Sequence, residues 1–204
     1  MSGKFIVFEG IDGAGKSTQV ALLTERLSSL GHEVHLTAEP TATASGKAIR
    51  EALSGSVKKS ECEMATMFVL DRIAHSKNEI APLTSDGKIV ISDRYYYSTL
   101  AYQGQTTDYT WAKTMNLGCP EIKRPDLCIY LDLLPEQSLA RIKARNEALE
   151  IYENLDKLTN VRNAFLSVID DLRKEGDKIF IVNADRSPEA IADEIFDIVK
   201  ENLL

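Results

Sequence analysis

The chain has 204 residues, 44% of them hydrophobic, which is enough to bury one sizeable core and makes a single domain over 1–204 the default organisation. A net charge of -7 argues against an extended phosphate-neutralising surface for DNA or RNA, though not against a small anion held by a few arginines. No apolar stretch is long enough to span a bilayer, and no signal-peptide pattern opens the chain. Cys62, Cys119 and Cys128 are too scattered for a disulfide framework, so a reduced, cytoplasmic protein with neither membrane nor nucleic-acid partner is expected.

In chain order, five short apolar runs read as strands buried on both faces: 5–8, 33–38, 88–92, 127–131 and 178–182. After the first, Val20, Leu23, Leu27 and Leu30 make one helical stripe, closed by Gly31 where a C-cap glycine belongs. Near the end, Ser187 reads as an N-cap and Pro188 as the first helical residue, with Ile191, Ile195 and Ile198 as the buried stripe. This alternation predicts an α/β fold, a doubly wound five-stranded parallel sheet flanked by helices. The charged stretch from Arg141 to Tyr152 has no turn residues to fix it, and a mobile lid is expected at about 141–154.

The first strand runs into Gly10-Ile11-Asp12-Gly13-Ala14-Gly15-Lys16-Ser17, followed by Thr18, which fits G-x-x-x-x-G-K-[ST] between a strand and a helix. Backbone N–H groups that converge on a phosphate need conformations glycine tolerates best, and the helix N-terminus adds free donors and a positive dipole end. Lys16 is expected to be solvated in the empty protein and to reach the β and γ phosphates, with the Ser17 hydroxyl on Mg²⁺. Nucleoside triphosphate binding follows. A nucleotide-gated switch, an ATP-driven motor or ligase, and a small-molecule kinase all remain open, although the Asn-Lys-x-Asp of a guanine-specific switch is absent.

Two acidic residues end apolar strands. Asp93 lies beside the P-loop strand, where a carboxylate can organise a Mg²⁺ shell, and Arg94 next to it offers a planar fork to a phosphate. Asp132 is the competing candidate. On the helix before the third strand, Phe68 and Arg72 are four apart and share a face. By composition alone, Phe68 belongs in the core with Met64, Met67 and Ile73.

The run Asp93-Arg94-Tyr95-x-x-Ser98-Thr99-x-Ala101-Tyr102 resembles the signature of the thymidylate kinase family. So do the P-loop Phe8-Glu9-Gly10-Ile11-Asp12-Gly13-Ala14-Gly15-Lys16-Ser17-Thr18, Phe68-x-x-x-Arg72 and Tyr152-Glu153-Asn154, in the family's order over nearly the whole chain. The resemblance implies a P-loop kinase fold and ATP-dependent, Mg²⁺-assisted phosphorylation of dTMP by a homodimer. It implies Lys16, Arg94 and Asp93 at the reacting phosphates, Asp12 on the sugar 3′-OH, Phe68 stacked on thymine and Arg72 on its carbonyl. Thr99 would touch the pyrimidine edge, Tyr102 crowd the sugar 2′ position, and Tyr95 stand near the site. Tyr152 and Glu153 end the lid, and Asp185 and Arg186 belong to a loop lying along adenine. The family pattern favours Asp93 as the magnesium residue and leaves Asp132 as a helix-entry residue before Pro135.

The chain departs from the pattern twice. Some relatives place a phosphate-binding arginine after the Glu-Pro pair; here Thr41-Ala42-Thr43-Ala44 follows Pro40, and Arg50 is the substitute candidate. Gly13 stands where one subgroup has a catalytic arginine, so Arg141 and Arg145 are expected to supply that charge from the lid. Another nucleoside or nucleotide kinase would share the P-loop and Asp93-Arg94 but choose a different acceptor, and a P-loop ATPase would have no acceptor at all.

Overall fold

The computed structural model describes residues 3–144 and 154–204. Its strands are β1 (Lys4–Glu9), β2 (Val34–Ala38), β3 (Ile89–Asp93), β4 (Leu127–Asp132) and β5 (Ile179–Asn183). They form one all-parallel sheet in the order β2-β3-β1-β4-β5. The chain steps from β1 to one side for β2 and β3 and to the other for β4 and β5. The crevice beyond the carboxyl ends of β1, β3 and β4 is therefore a topological switch point, where open α/β sheets bind ligands.

Helices cover both faces. Ile6 and Phe8 of β1, with Ile91 and Ile129, pack against α1 (Lys16–Ser29) and α9 (Pro188–Leu203) through Leu23, Leu27, Ile191 and Ile195. The alternate residues Phe5 and Val7, with Val90 and Tyr130, face α5 (Tyr96–Tyr102), α6 (Tyr109–Leu117) and α8 (Leu155–Lys174). The period of two along a strand thus fills two cores from one apolar run. The other helices are α2 (Ala44–Leu53), α3 (Glu61–His75), α4 (Ala81–Ser85) and α7 (Pro135–Ala144).

Several local signals act as read. Ser187 accepts from the Ala190 N–H ahead of Pro188, and Gly31 takes φ +87 just after α1. Three expectations change. β2 and β5 are edge strands, so Leu36 and Ile181 are exposed rather than buried on both faces. Leu30 falls at the C-cap of α1, past the last buried turn, and is exposed. Val199 completes the i, i+4 stripe of α9, while Ile198 is only partly buried.

Candidate active site

The P-loop turns between β1 and α1, with Gly15 at φ +93 as the residue before the helix. Contrary to the expectation of a solvated side chain, Lys16 is buried: it is 7% exposed, and Nζ donates to the Gly10 and Ile11 carbonyls at 3.1 and 3.3 Å. The loop closes on its own cation because an ammonium drawn inside must find acceptors. Burial and the nearby Arg94 lower the Lys16 pKa, opposed by Asp93, Asp12 and Glu9. Ser17 and Thr18 are exposed on the first turn of α1, and Ser17 lines a cleft of about 310 Å³ with Gly13, Gly15, Lys16 and Asp93. Gly10 and Ala14 are buried behind it.

Gly13 explains its own identity. It has φ +78, and a Cβ there would stand 2.8 Å from the Ser138 carbonyl of α7. No side chain fits without moving α7.

Arg94 follows β3 at φ 72, a left-handed conformation that costs a non-glycine residue on the order of 1–3 kcal/mol. That turn sends its guanidinium back to the P-loop, where Nη2 donates to Asp12 Oδ1 at 2.5 Å and Nη1 to Gly10 O and Ser98 Oγ. Burial alone would raise the Asp12 pKa, but Arg94 and Lys16 outweigh it and hold the carboxyl below its usual range. Burial likewise opposes the Arg94 charge and is outweighed by Asp12, Tyr102, Glu9 and Asp93, so its pKa is raised. Tyr102 directs its hydroxyl at Asp12 Oδ2, 3.4 Å away, and carries Arg94 over its ring at 5.5 Å.

Beside the P-loop cleft lies a second one of about 200 Å³, walled by Phe68, Arg72, Tyr95, Thr99, Tyr102 and Arg50. The two clefts share Asp12, Glu39, Pro40 and Arg94 at their junction. Phe68 is half-buried and does both things asked of it, packing on Met64 and Ile49 while facing the cleft. Arg72 is 1% exposed and held by Glu39, Thr99 and Asn116. Of the three consecutive tyrosines, Tyr95 reaches the cleft, while Tyr96 and Tyr97 donate to Asp177 at 2.8 and 2.9 Å.

Asp93 ends β3 with Oδ1 buried and lacking a hydrogen-bond partner. Asp132 is not a helix-entry residue. It ends β4 and accepts from Arg162 Nε and Nη2 of α8 at 2.7 and 2.8 Å, a fork that engages both carboxylate oxygens. Arg50 is exposed at the rim and donates to Pro40 O at 2.8 Å. The run after Pro40 has a structural use: Thr41, Thr43 and Ser45 hydroxyls, with the Thr41 N–H, all donate to Asp71 of α3. Arg141 on α7 donates to Gly13 O at 3.4 Å and Ala184 O at 3.1 Å, joining the P-loop to the loop after β5. In that loop Asp185 N bonds Asn183 Oδ1, and Arg186 is exposed beside Glu194. Arg145, Tyr152 and Glu153 lie outside the described residues.

Sequence reasoning missed four participants. Glu9, 1% exposed, accepts from the Tyr95 and Ser98 N–H groups at 2.8 and 3.1 Å and from Ser98 Oγ at 2.6 Å, which anchors the start of α5 to the end of β1. A glutamate closing an apolar strand was the available signal. Glu39 and Asn116 hold Arg72, and His75 holds Glu39; His75 could have been flagged because it lies three residues after Arg72 on the same helix face.

A parallel sheet whose first strand turns through a glycine loop into a helix, with two clefts meeting at its switch point, defines a P-loop protein of the nucleotide kinase type. The sequence pattern described as thymidylate kinase matches residues 8–195, and the chain belongs to that family. A "probable thymidylate kinase" of Pyrococcus horikoshii is 43% identical, the alignment covering 100% of this chain and 99% of the relative. A "thymidylate kinase" of Leptospira interrogans is 38% identical over 85% of this chain and 86% of its own. A "probable thymidylate kinase" of Pyrobaculum aerophilum is 38% identical over 96% of each chain.

Proposed function

We propose that this chain is a kinase that moves the γ-phosphoryl group of ATP onto dTMP, giving dTDP and ADP. The observation that carries it is the pair of clefts meeting at Asp12 and Arg94, one floored by the P-loop and the other walled by an aromatic ring and a buried guanidinium. ATP lies on the P-loop side, its adenine toward Asp185 and Arg186. The acceptor lies on the other, thymine against Phe68 with a carbonyl toward Arg72 and its edge at Thr99. Asp12 accepts from the sugar 3′-OH, and Tyr102 fills the space a 2′-hydroxyl would need. Tyr95 closes the floor, and Arg50 at the rim takes the phosphate that relatives give to an arginine after the Glu-Pro pair. Tyr152 and Glu153 belong to the acceptor side in the same reading.

An oxygen of the dTMP phosphate attacks the γ-phosphorus in line, and the β–γ bridging oxygen departs with ADP. The attacking oxygen is already anionic, so no general base is needed, and the protein's work is alignment and charge neutralisation. Lys16 exchanges two loop carbonyls for phosphate oxygens. Arg94, at the junction, faces both phosphates. Arg141, with Arg145, supplies the cation that Gly13 cannot.

Asp93 Oδ1, buried and unpartnered, and the Ser17 hydroxyl in the same cleft form the oxygen donor set a Mg²⁺–nucleotide complex uses. These two residues would hold the ion, which when bound neutralises charge on the phosphates. We also infer a cytoplasmic homodimer, in keeping with the family and with the free Cys62, Cys119 and Cys128.

ADP release with ATP and Mg²⁺, measured across nucleosides and nucleoside monophosphates, tests the reading. dTMP should be the preferred acceptor; turnover that no acceptor stimulates would refute it.

A further inference from the structure

Arg72 has five N–H donors, and all five are engaged. Nε and Nη2 both donate to Glu39 Oε2, at 2.9 and 2.5 Å, and Nη1 donates to Asn116 Oδ1 at 2.5 Å. The remaining two, one on each terminal nitrogen, share the single Thr99 hydroxyl at 3.2 and 3.3 Å. The edge of the guanidinium toward Thr99 is thus the only one held by long bonds, and Thr99 lines the acceptor cleft. A base carbonyl can replace that hydroxyl; it cannot readily replace Glu39 or Asn116.

Glu39 does not make the usual fork, in which each carboxylate oxygen takes one donor from the arginine. Oε1 is taken by His75 Nδ1 at 3.0 Å, and His75 Nε2 in turn meets the Thr37 hydroxyl at 2.7 Å. Glu39, Arg72 and His75 are all almost wholly buried. The chain Thr37–His75–Glu39–Arg72 therefore runs from the edge strand β2 through α3 to the cleft and fixes the carboxylate from behind.

We propose that Glu39 and His75 are positioning residues that set the base selectivity of the enzyme, by aiming one edge of Arg72 so that it offers donors to a pyrimidine carbonyl. This rests on the acceptor reading above. A 4-oxo pyrimidine presents an acceptor to that edge, whereas a 4-amino pyrimidine presents a donor and leaves two buried N–H groups facing another. Selectivity for dTMP over dCMP thus requires that Arg72 not swing to offer a different edge.

The test is kcat/KM for dTMP and dCMP in wild type, Glu39→Gln, His75→Ala and His75→Asn, with urea unfolding to show that each variant is folded. Wild type should favour dTMP. Glu39→Gln and His75→Ala should lower the dTMP-to-dCMP ratio on the order of 10-fold or more, mainly through KM for dTMP, as loss of a buried charged hydrogen bond does. His75→Asn, whose amide can still donate to Glu39, should keep most of the ratio. Should Glu39→Gln fail to fold, the two His75 variants decide alone. Folded His75→Ala with an unchanged ratio would overturn the proposal while dTMP kinase activity stands; a wild type that does not phosphorylate dTMP would instead overturn the acceptor reading beneath it.

Discussion

Glu9 makes the sharpest quantitative prediction. Burial raises its pKa from an ordinary 4.5 to about 7, against the pull of Arg94, the Ser98 hydroxyl, the Tyr95 N–H and Lys16. Below pH 4.5 the carboxyl is protonated in both folded and unfolded chains and costs nothing. Between 4.5 and about 7 the folded chain keeps a proton that the unfolded chain has released, so stability falls as pH rises. Above about 7 both forms are ionised and the full cost is present. The difference between 4.5 and about 7, at about 1.4 kcal/mol per pH unit, comes to roughly 3 kcal/mol.

Glu9→Gln removes that ionisation and keeps a carbonyl oxygen where Oε1 accepts from the Tyr95 and Ser98 N–H groups. Urea unfolding without nucleotide, followed by circular dichroism from about pH 5 to about pH 8.5, gives the stability difference between variant and wild type. Other titrating groups cancel in that difference. Roughly 1 kcal/mol or a little less of the cost is already present at the acid end, and the difference should rise by about 2.5 kcal/mol in the variant's favour by the alkaline end. A difference that stays flat over this range would refute the claim that Glu9 is folded into the protein at an ionisation cost.

Two further outcomes check the site. Lys16→Met removes a buried ammonium while preserving its length, so kcat for dTMP phosphorylation should fall on the order of 10²-fold or more with the fold retained; a near-normal rate would break the P-loop assignment. Tyr102→Ala opens space beside Asp12, so the preference for dTMP over its ribose counterpart should narrow in competition assays, and an unchanged preference would leave Tyr102 as a packing partner of Phe165.

What was legible in the sequence was whatever depends on local spacing. Strand and helix periods gave the α/β architecture, and the glycine spacing placed Lys16 and Ser17 at the mouth of α1. The rest depends on where strands end relative to one another. That β2 and β5 are edges follows from the sheet order, which no run of apolar residues states. That Asp132 meets Arg162 depends on α8 crossing β4, 30 residues away. The Thr41 to Ser45 stretch looked like a gap where an arginine was missing, because its partner Asp71 lies on another helix. Arg72 was legible as a cation on the right face, but the Glu39 carboxylate and the Asn116 amide that hold it come from separate elements.

The cations facing the clefts are committed to different degrees, and this orders what substrates have to displace. Lys16 is held by two neutral carbonyls at 3.1 and 3.3 Å, and a phosphate offers charged acceptors in their place. Arg94 is held by a carboxylate at 2.5 Å, so a phosphate that draws it away leaves the partly buried Asp12 with a weakened partner. Tyr102 is too distant at 3.4 Å to make up that loss alone. In the proposed complex the sugar 3′-hydroxyl is the donor that does so, and it arrives on the same molecule as the acceptor phosphate. An acidic residue inside a phosphate-binding loop then makes physical sense. In that proposed complex Asp12, which holds Arg94 while the cleft is empty, would release it to phosphate only when the acceptor supplies a replacement donor.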